Sequence, residues 1–188
     1  MNKGLPSNIE AEKSLLGSVF WSYAALQKAC EEMDKDAFFL EKNGIIFEVI
    51  KELYDNKKPV DMNTLTAELV TKKLLDKVGG VEYLNELVDS VATGANIDYY
   101  INLVLEKFTL RRMIEEATKI ITNANNPDID VSLLVEGAEK NILNVAKTRK
   151  TSEFRKVQDV LAKAQQDLQH LAENHGRVTG LTTGLPDL

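Results

Sequence analysis

One cysteine, Cys30, is all that this chain of 188 residues holds, so an internal disulfide framework is excluded and a reducing compartment is expected. Ten Gly and four Pro are too few for the many turns of an all-β protein. No apolar run approaches the ~18–20 residues that span a bilayer. The opening stretch "MNKGLPSNIEAEKS" also lacks the apolar core of a signal peptide. A soluble, cytoplasmic protein with no membrane partner is the expectation.

The chemistry of an active site is equally thin. No Gly-x-x-x-x-Gly-Lys-Ser/Thr loop is present to cradle phosphates. The two histidines, His170 and His175, stand five positions apart, which turns them to different faces of a helix. No neighbouring thiol or second carboxylate completes a metal shell around them. Cys30 lies in a helical apolar pattern without a partner histidine and reads as a buried structural thiol. Glu31-Glu32 and Glu115-Glu116 are adjacent pairs whose members point in different directions on a helix, and they read as surface. Catalytic, cofactor-binding and metal-binding residues are therefore all expected to be none.

What the chain does have is helix. Hydrophobic residues make up 44% and charged residues 28%, a globular balance rich in Leu, Ala, Glu and Lys. The net charge of −6 is unevenly spread. Residues 147–188 carry seven Lys or Arg against five Asp or Glu; of the chain's 23 basic and 29 acidic residues this leaves sixteen and twenty-four in 1–146, a net of −8. So acidic a region is a poor unaided grip for nucleic acid, whose binding rests on neutralising phosphates.

Ser7 and Glu10 have capping-box spacing before a first helix in "PSNIEAEKSLLGSVFW". Further helices are expected at "AALQKACEEM", at "NGIIFEVIKELYDNKKP" with Asn56 and Pro59 ending it, at "NTLTAELVTKKLL", and at "GGVEYLNELVDSV" after a Gly79-Gly80 turn. From Asn96 to about Asn125 there is no Gly or Pro. Ile97, Ile101, Val104, Leu105, Phe108, Met113, Ile114, Ala117, Ile120 and Ile121 read as one continuous apolar stripe on a helix roughly 40 Å long. Pro127 and Asp130 mark a turn and a cap. A returning helix then carries Val131, Leu134, Val135, Ala138, Ile142 and Val145 along one face. Together they make an antiparallel helical hairpin over 96–146. Its stripe either folds back onto its own core or projects against another copy, and pattern alone leaves both open.

After Ala146, "KTRKTSEFRK" carries five basic residues and one acidic without periodicity, an exposed flexible linker over 147–156. Over 157–175 an isolated amphipathic helix presents Val157, Val160, Leu161, Ala164, Leu168 and Leu171 on one face. Such a face must dock on its own domain or on a neighbour. Over 176–188, "GRVTGLTTGLPDL" ends in apolar side chains with nothing following to bury them.

In this order, "SNIEAEKSLLGSVF", "GIIFEVIKELYDNKKPVDMNTL", "VGGVEYLNELVDS", "ANIDYYINLV", "TLRRMIEEA" and "RVTGLTTGLPDL" resemble the amino-terminal part of the bacterial replicative DNA helicase, the DnaB family. The resemblance runs from about Leu5 to Leu188. It implies an all-α domain over 1–146, with a globular part over 5–95 and the hairpin over 96–146, then the linker helix, then the threshold of a RecA-like ATPase domain at 176–188. It further implies that the hairpin packs between subunits of a homo-hexamer built as a trimer of dimers. On that reading the interface with a second subunit or with DnaG-type primase comprises Ile101, Leu105, Phe108, Met113, Ile114, Ala117, Leu134, Ile142 and Val145. The linker helix would dock on an adjacent ATPase domain, and in some lineages a helicase loader acts as well. ATP, Mg and single-stranded DNA are implied only for the full-length parent, so this stretch is a non-catalytic scaffold. One departure is visible: "FWSYAALQKACEEMDKDAFF" lacks the acidic-Asn turn common between the family's first two helices. A rival is a stand-alone adaptor that binds primase or helicase subunits without an ATPase, and an independent DNA-binding protein fits the acidic charge less well.

Overall fold

A computed structural model describes residues 4–148, with side chains through Val145. The expected linker at 147–156, the linker helix with Val157, Val160, Leu161, Ala164, Leu168 and Leu171, and the closing 176–188 lie outside the described residues, apart from the end of the last helix. Among the described residues the chain is helical throughout, without a strand. Its helices are α1 (Ile9–Trp21), α2 (Tyr23–Glu32), α3 (Glu41–Asp55), α4 (Met62–Thr71), α5 (Leu75–Val78), α6 (Gly80–Asp89), α7 (Ile97–Ala124) and α8 (Val131–Thr148). A single 3-10 turn, Lys35–Ala37, precedes α3.

The start of α1 differs from the capping box expected at Ser7. Asn8 is the cap, its side-chain oxygen accepting the Ala11 amide at 3.1 Å. Asn satisfies an orphan amide as well as Ser does, and the helix begins one residue later. Ser22 closes α1 in an extended conformation and also caps α2, accepting from the Ala25 amide. One residue thus makes a sharp corner between two helices. The expected helix over "NTLTAELVTKKLL" breaks after Thr71, because Lys73 takes a left-handed conformation with φ 58°. Gly79 and Gly80, at φ 100° and 73°, make the expected turn into α6.

The core of the globular head is built from Leu15 and Leu16 of α1, Ile46, Phe47, Ile50 and Leu53 of α3, Leu65 and Leu69 of α4, and Leu84 and Leu87 of α6. The α1 backbone lies so close to α6 that a methyl group on Gly17 would sit 2.2 Å from the Leu87 carbonyl oxygen. Cys30 is buried in this core, as its pattern predicts, and burial pushes its thiol up to about 11.

A carboxylate inside the core was not anticipated. Glu12, on α1, is 1% exposed. It accepts the amides of Phe39 at 2.6 Å and Leu40 at 3.3 Å, and the Asn43 side-chain amide at 2.8 Å. Leu40 is the N-cap of α3 and has no capping side chain of its own, so Glu12 does that work from across the fold. Asn43 in turn accepts the Tyr83 hydroxyl of α6 at 2.8 Å. The network ties three helices together, and among the described residues no buried side-chain polar atom lacks a partner.

Two outcomes follow. Glu12→Ala strands two backbone amides and one side-chain amide, and should lower unfolding stability by about 3 kcal/mol in urea melts, with Glu10→Ala within about 0.5 kcal/mol of the parent. Cys30 should react with a thiol-specific disulfide reagent far more slowly at pH 8 in the native chain than in guanidinium. Because its folded pKa is raised above the unfolded value near 9, its contribution to stability is complete below pH 9 and is lost as pH climbs towards about 11.

Candidate interaction surface on the helical hairpin

The 28 residues of α7 serve two environments. Ile97, Ile101 and Val104, spaced by one and two helical turns, face the head and join its core; Leu103, Leu105 and Phe108 pack half-buried against it. This corrects the expectation of one continuous stripe. Ile101 is only 1% exposed, so its surface is already spent inside the chain and it has none to give a partner. Beyond Arg111 the helix outruns the head, and exposed aliphatic side chains follow.

The root is held by Arg111. Its guanidinium donates to the Pro6 carbonyl at 2.9 Å and to the Ala37 carbonyl at 2.6 Å. It also lies over the rings of Phe39 and Phe108. Burial pulls its pKa down while the nearby Glu12 charge opposes that shift. The sequence offers no sign of this clamp, since both carbonyl partners are remote in the chain.

At the tip, Asn126 and Asp130 organise the turn. The Asn126 side chain accepts the Asp128 amide, and Asp130 accepts those of Ser132 and Leu133 at 2.8 and 3.2 Å, which makes Asp130 the expected cap of α8. The two helices pair along an inner seam. Glu116 accepts from the Asn141 amide at 3.0 Å and from the Lys119 ammonium at 2.8 Å. Glu116 is buried, which corrects its reading as a surface residue. The adjacent Glu115 does stay outside, bonded to Lys119, which holds its carboxyl below the usual range. Val145 is buried too, and Leu134 is half-buried two turns before Asn141 on the same face. Both therefore line the chain's own seam rather than an outer surface.

Of the residues expected at an interface, Met113, Ile114, Ala117 and Ile142 are exposed, while Leu105 and Phe108 are partly covered by the head. The outer face of α7 runs Leu110, Ile114, Ala117, Ile121 at spacings of four, three and four; Ile121 is 63% exposed. On α8 the matching row is Val131, Val135 and Ile142, with Val131 69% exposed, while Leu133 and Leu143 are exposed on other sides of the helix. Leu110, Leu133 and Leu143 were not singled out from the sequence. So much exposed aliphatic surface on one element is the mark of an interaction site.

At the foot of the hairpin lies an open groove of about 850 Å³, lined by the apolar Leu5, Phe108 and Ile114 and by the charged Arg112, Glu115 and Lys119 among others. Its charges are mixed, and Arg112, Glu115, Glu116 and Lys119 pair among themselves. Among the described residues no three His, Cys, Asp or Glu side chains converge to hold a metal, and no helix is long and apolar enough to cross a membrane. The arrangement is suited to binding through apolar contact.

Comparison with known proteins agrees with the geometry. Residues 4–106 match the family model of the DnaB-like helicase N terminal domain. The chain is 39% identical over 183 residues to the replicative DNA helicase DnaC of Bacillus subtilis, covering 97% of this chain and 40% of that protein. It is 36% identical, with the same coverage, to the replicative DNA helicase DnaB of Geobacillus stearothermophilus. It thus spans about 40% of the length of these relatives. The crystal structure of the N-terminal domain of DnaB helicase from Mycobacterium tuberculosis superposes with a TM-score of 0.70 at 32% identity, over 75% of this chain and 99% of that one. A DnaB-like replicative helicase of known structure shares the fold, with a TM-score of 0.62 at 24% identity over 95% of this chain and 38% of its own. The all-α head and its hairpin therefore belong to the DnaB-like helicase N-terminal domain family.

Proposed function

We propose that this chain is the collar region of a ring-shaped, ATP-driven replicative helicase, and that its hairpin packs against the hairpin of a second copy. The observation that carries this reading is the pair of exposed aliphatic rows on the outer faces of α7 and α8, beyond the reach of the head. A second hairpin presents the same rows, so a two-fold pairing buries them mutually, as a self-complementary interface requires. Repeated around a ring, such pairs give a homo-hexamer as a trimer of dimers.

The collar is a scaffold in this proposal. It sets the symmetry of the ring and recruits a DnaG-type primase, in keeping with a fold-level relative described by its interactions with primase. A helicase loader is a further partner in some lineages. ATP and Mg, hydrolysis and single-stranded DNA belong to an ATPase domain of the parent protein, and no step of that chemistry is assigned to the described residues. The cytoplasm, at the replication fork, is the corresponding location.

Met113→Glu or Ile142→Glu places a charge in the proposed seam at a side chain already about half exposed, so the fold should survive. By light scattering the parent chain should be oligomeric, and either variant should fall to monomer mass with an unchanged helical circular dichroism spectrum. An oligomer mass unaltered by both substitutions would overturn the hairpin as the interface.

A further inference from the structure

A second surface, on the head and away from the hairpin, has its own character. Trp21 ends α1 and Tyr23 begins α2, and the two are 55% and 71% exposed. The Trp21 indole donates to the Val88 carbonyl at 3.3 Å, which holds the ring in place while leaving much of it open to solvent. The Tyr23 and Tyr54 rings lie 6.3 Å apart at 43°. These aromatics line a cleft of about 720 Å³ whose other wall is the turn after α3. That turn brings Lys57 and Lys58 to the rim, with Asp55 the one acidic side chain in the lining. Lys57 is held at φ 55°, and Lys58 makes one long contact, 3.5 Å, to Glu68.

We propose that this cleft docks a short, extended, acidic peptide from a partner protein, with proline or leucine side chains against the aromatic rings and carboxylates on Lys57 and Lys58. Aromatic-lined clefts of this volume take a few side chains of an extended segment rather than a flat protein face. Exposed Trp and Tyr are the residue types that supply most binding energy at such anchors. Lys57 and Lys58 outnumber the lining's one acidic side chain, on a region whose net charge is −8, so an acidic segment is better received here than elsewhere on that region. Single-stranded nucleic acid meets the opposite balance, because two lysines neutralise few phosphates on an acidic head. The site shares no residue with the hairpin rows, so it stands whether or not those rows are the subunit interface.

Trp21 is the chain's one tryptophan, which makes it the reporter. The full chain is titrated with a synthetic peptide of repeated Glu-Pro-Leu units, which contributes no tryptophan fluorescence. A saturable change in Trp21 emission is expected, weakened by salt and weakened roughly tenfold by the double substitution Lys57→Glu, Lys58→Glu. Tyr23→Ala should weaken it as well, with circular dichroism confirming that both variants fold. The proposal is overturned by no change, or by equal binding of a Lys-Pro-Leu peptide. It is equally overturned if the response comes instead from oligothymidylate, or from raising the chain's own concentration without peptide.

Discussion

The buried carboxylate of Glu12 is the constraint on which the head depends. A carboxyl side chain at the centre of a helical core is costly unless every oxygen is occupied, and here the backbone entering α3 and the Asn43 amide occupy both. This fixes the position of α3 against α1, and through Asn43 and Tyr83 it also fixes α6. Apolar side chains alone permit helices to slide past one another by small amounts. A directional network spanning α1, α3 and α6 does not, and at Gly17 the α1 backbone lies too close to α6 to admit a methyl group.

The same logic recurs in the hairpin on a smaller scale. Glu116 with Asn141 and Lys119 is a polar pin between α7 and α8, on a stretch of α8 where Leu134 and Ala138 are half-buried and Val145 is buried. A single polar position in an apolar seam selects one register among several of similar hydrophobic energy. Arg111 performs the complementary task at the root, where it joins α7 to the segment before α1 and to the turn before α3. The two rows of exposed aliphatics are thereby presented on an element whose register and base are both fixed.

Much of this was legible in sequence because the signals were local. The Gly79-Gly80 turn, the Asp130 cap, the burial of Cys30 and the antiparallel hairpin each depend on neighbours a few residues away. What escaped was long-range or contrary to type. Glu12 finds its partners 27 to 31 residues downstream, and Arg111 finds a carbonyl 105 residues upstream. Nothing in the local pattern marks Glu12 as buried or Arg111 as a clamp. Glu116 looked like half of a surface pair, although its place four residues before Ile120 puts it on the inner face. Lys73 breaks a helix in a left-handed conformation that a glycine would have announced and a lysine does not. The division of α7 between core and free surface was likewise invisible. Apolar residues at helical spacing look the same whether the chain itself or another molecule covers them.

Beyond Arg111, α7 continues for some thirteen residues, a lever arm of roughly 20 Å. Any rotation at the clamp is magnified at the turn: a tilt of ten degrees moves the tip about 3.5 Å, comparable to the gap between touching carbon atoms. The stiffness of one half-buried guanidinium therefore governs the positional tolerance of a surface far away. Weakening that fulcrum would blur where the apolar rows stand without altering a single residue in them.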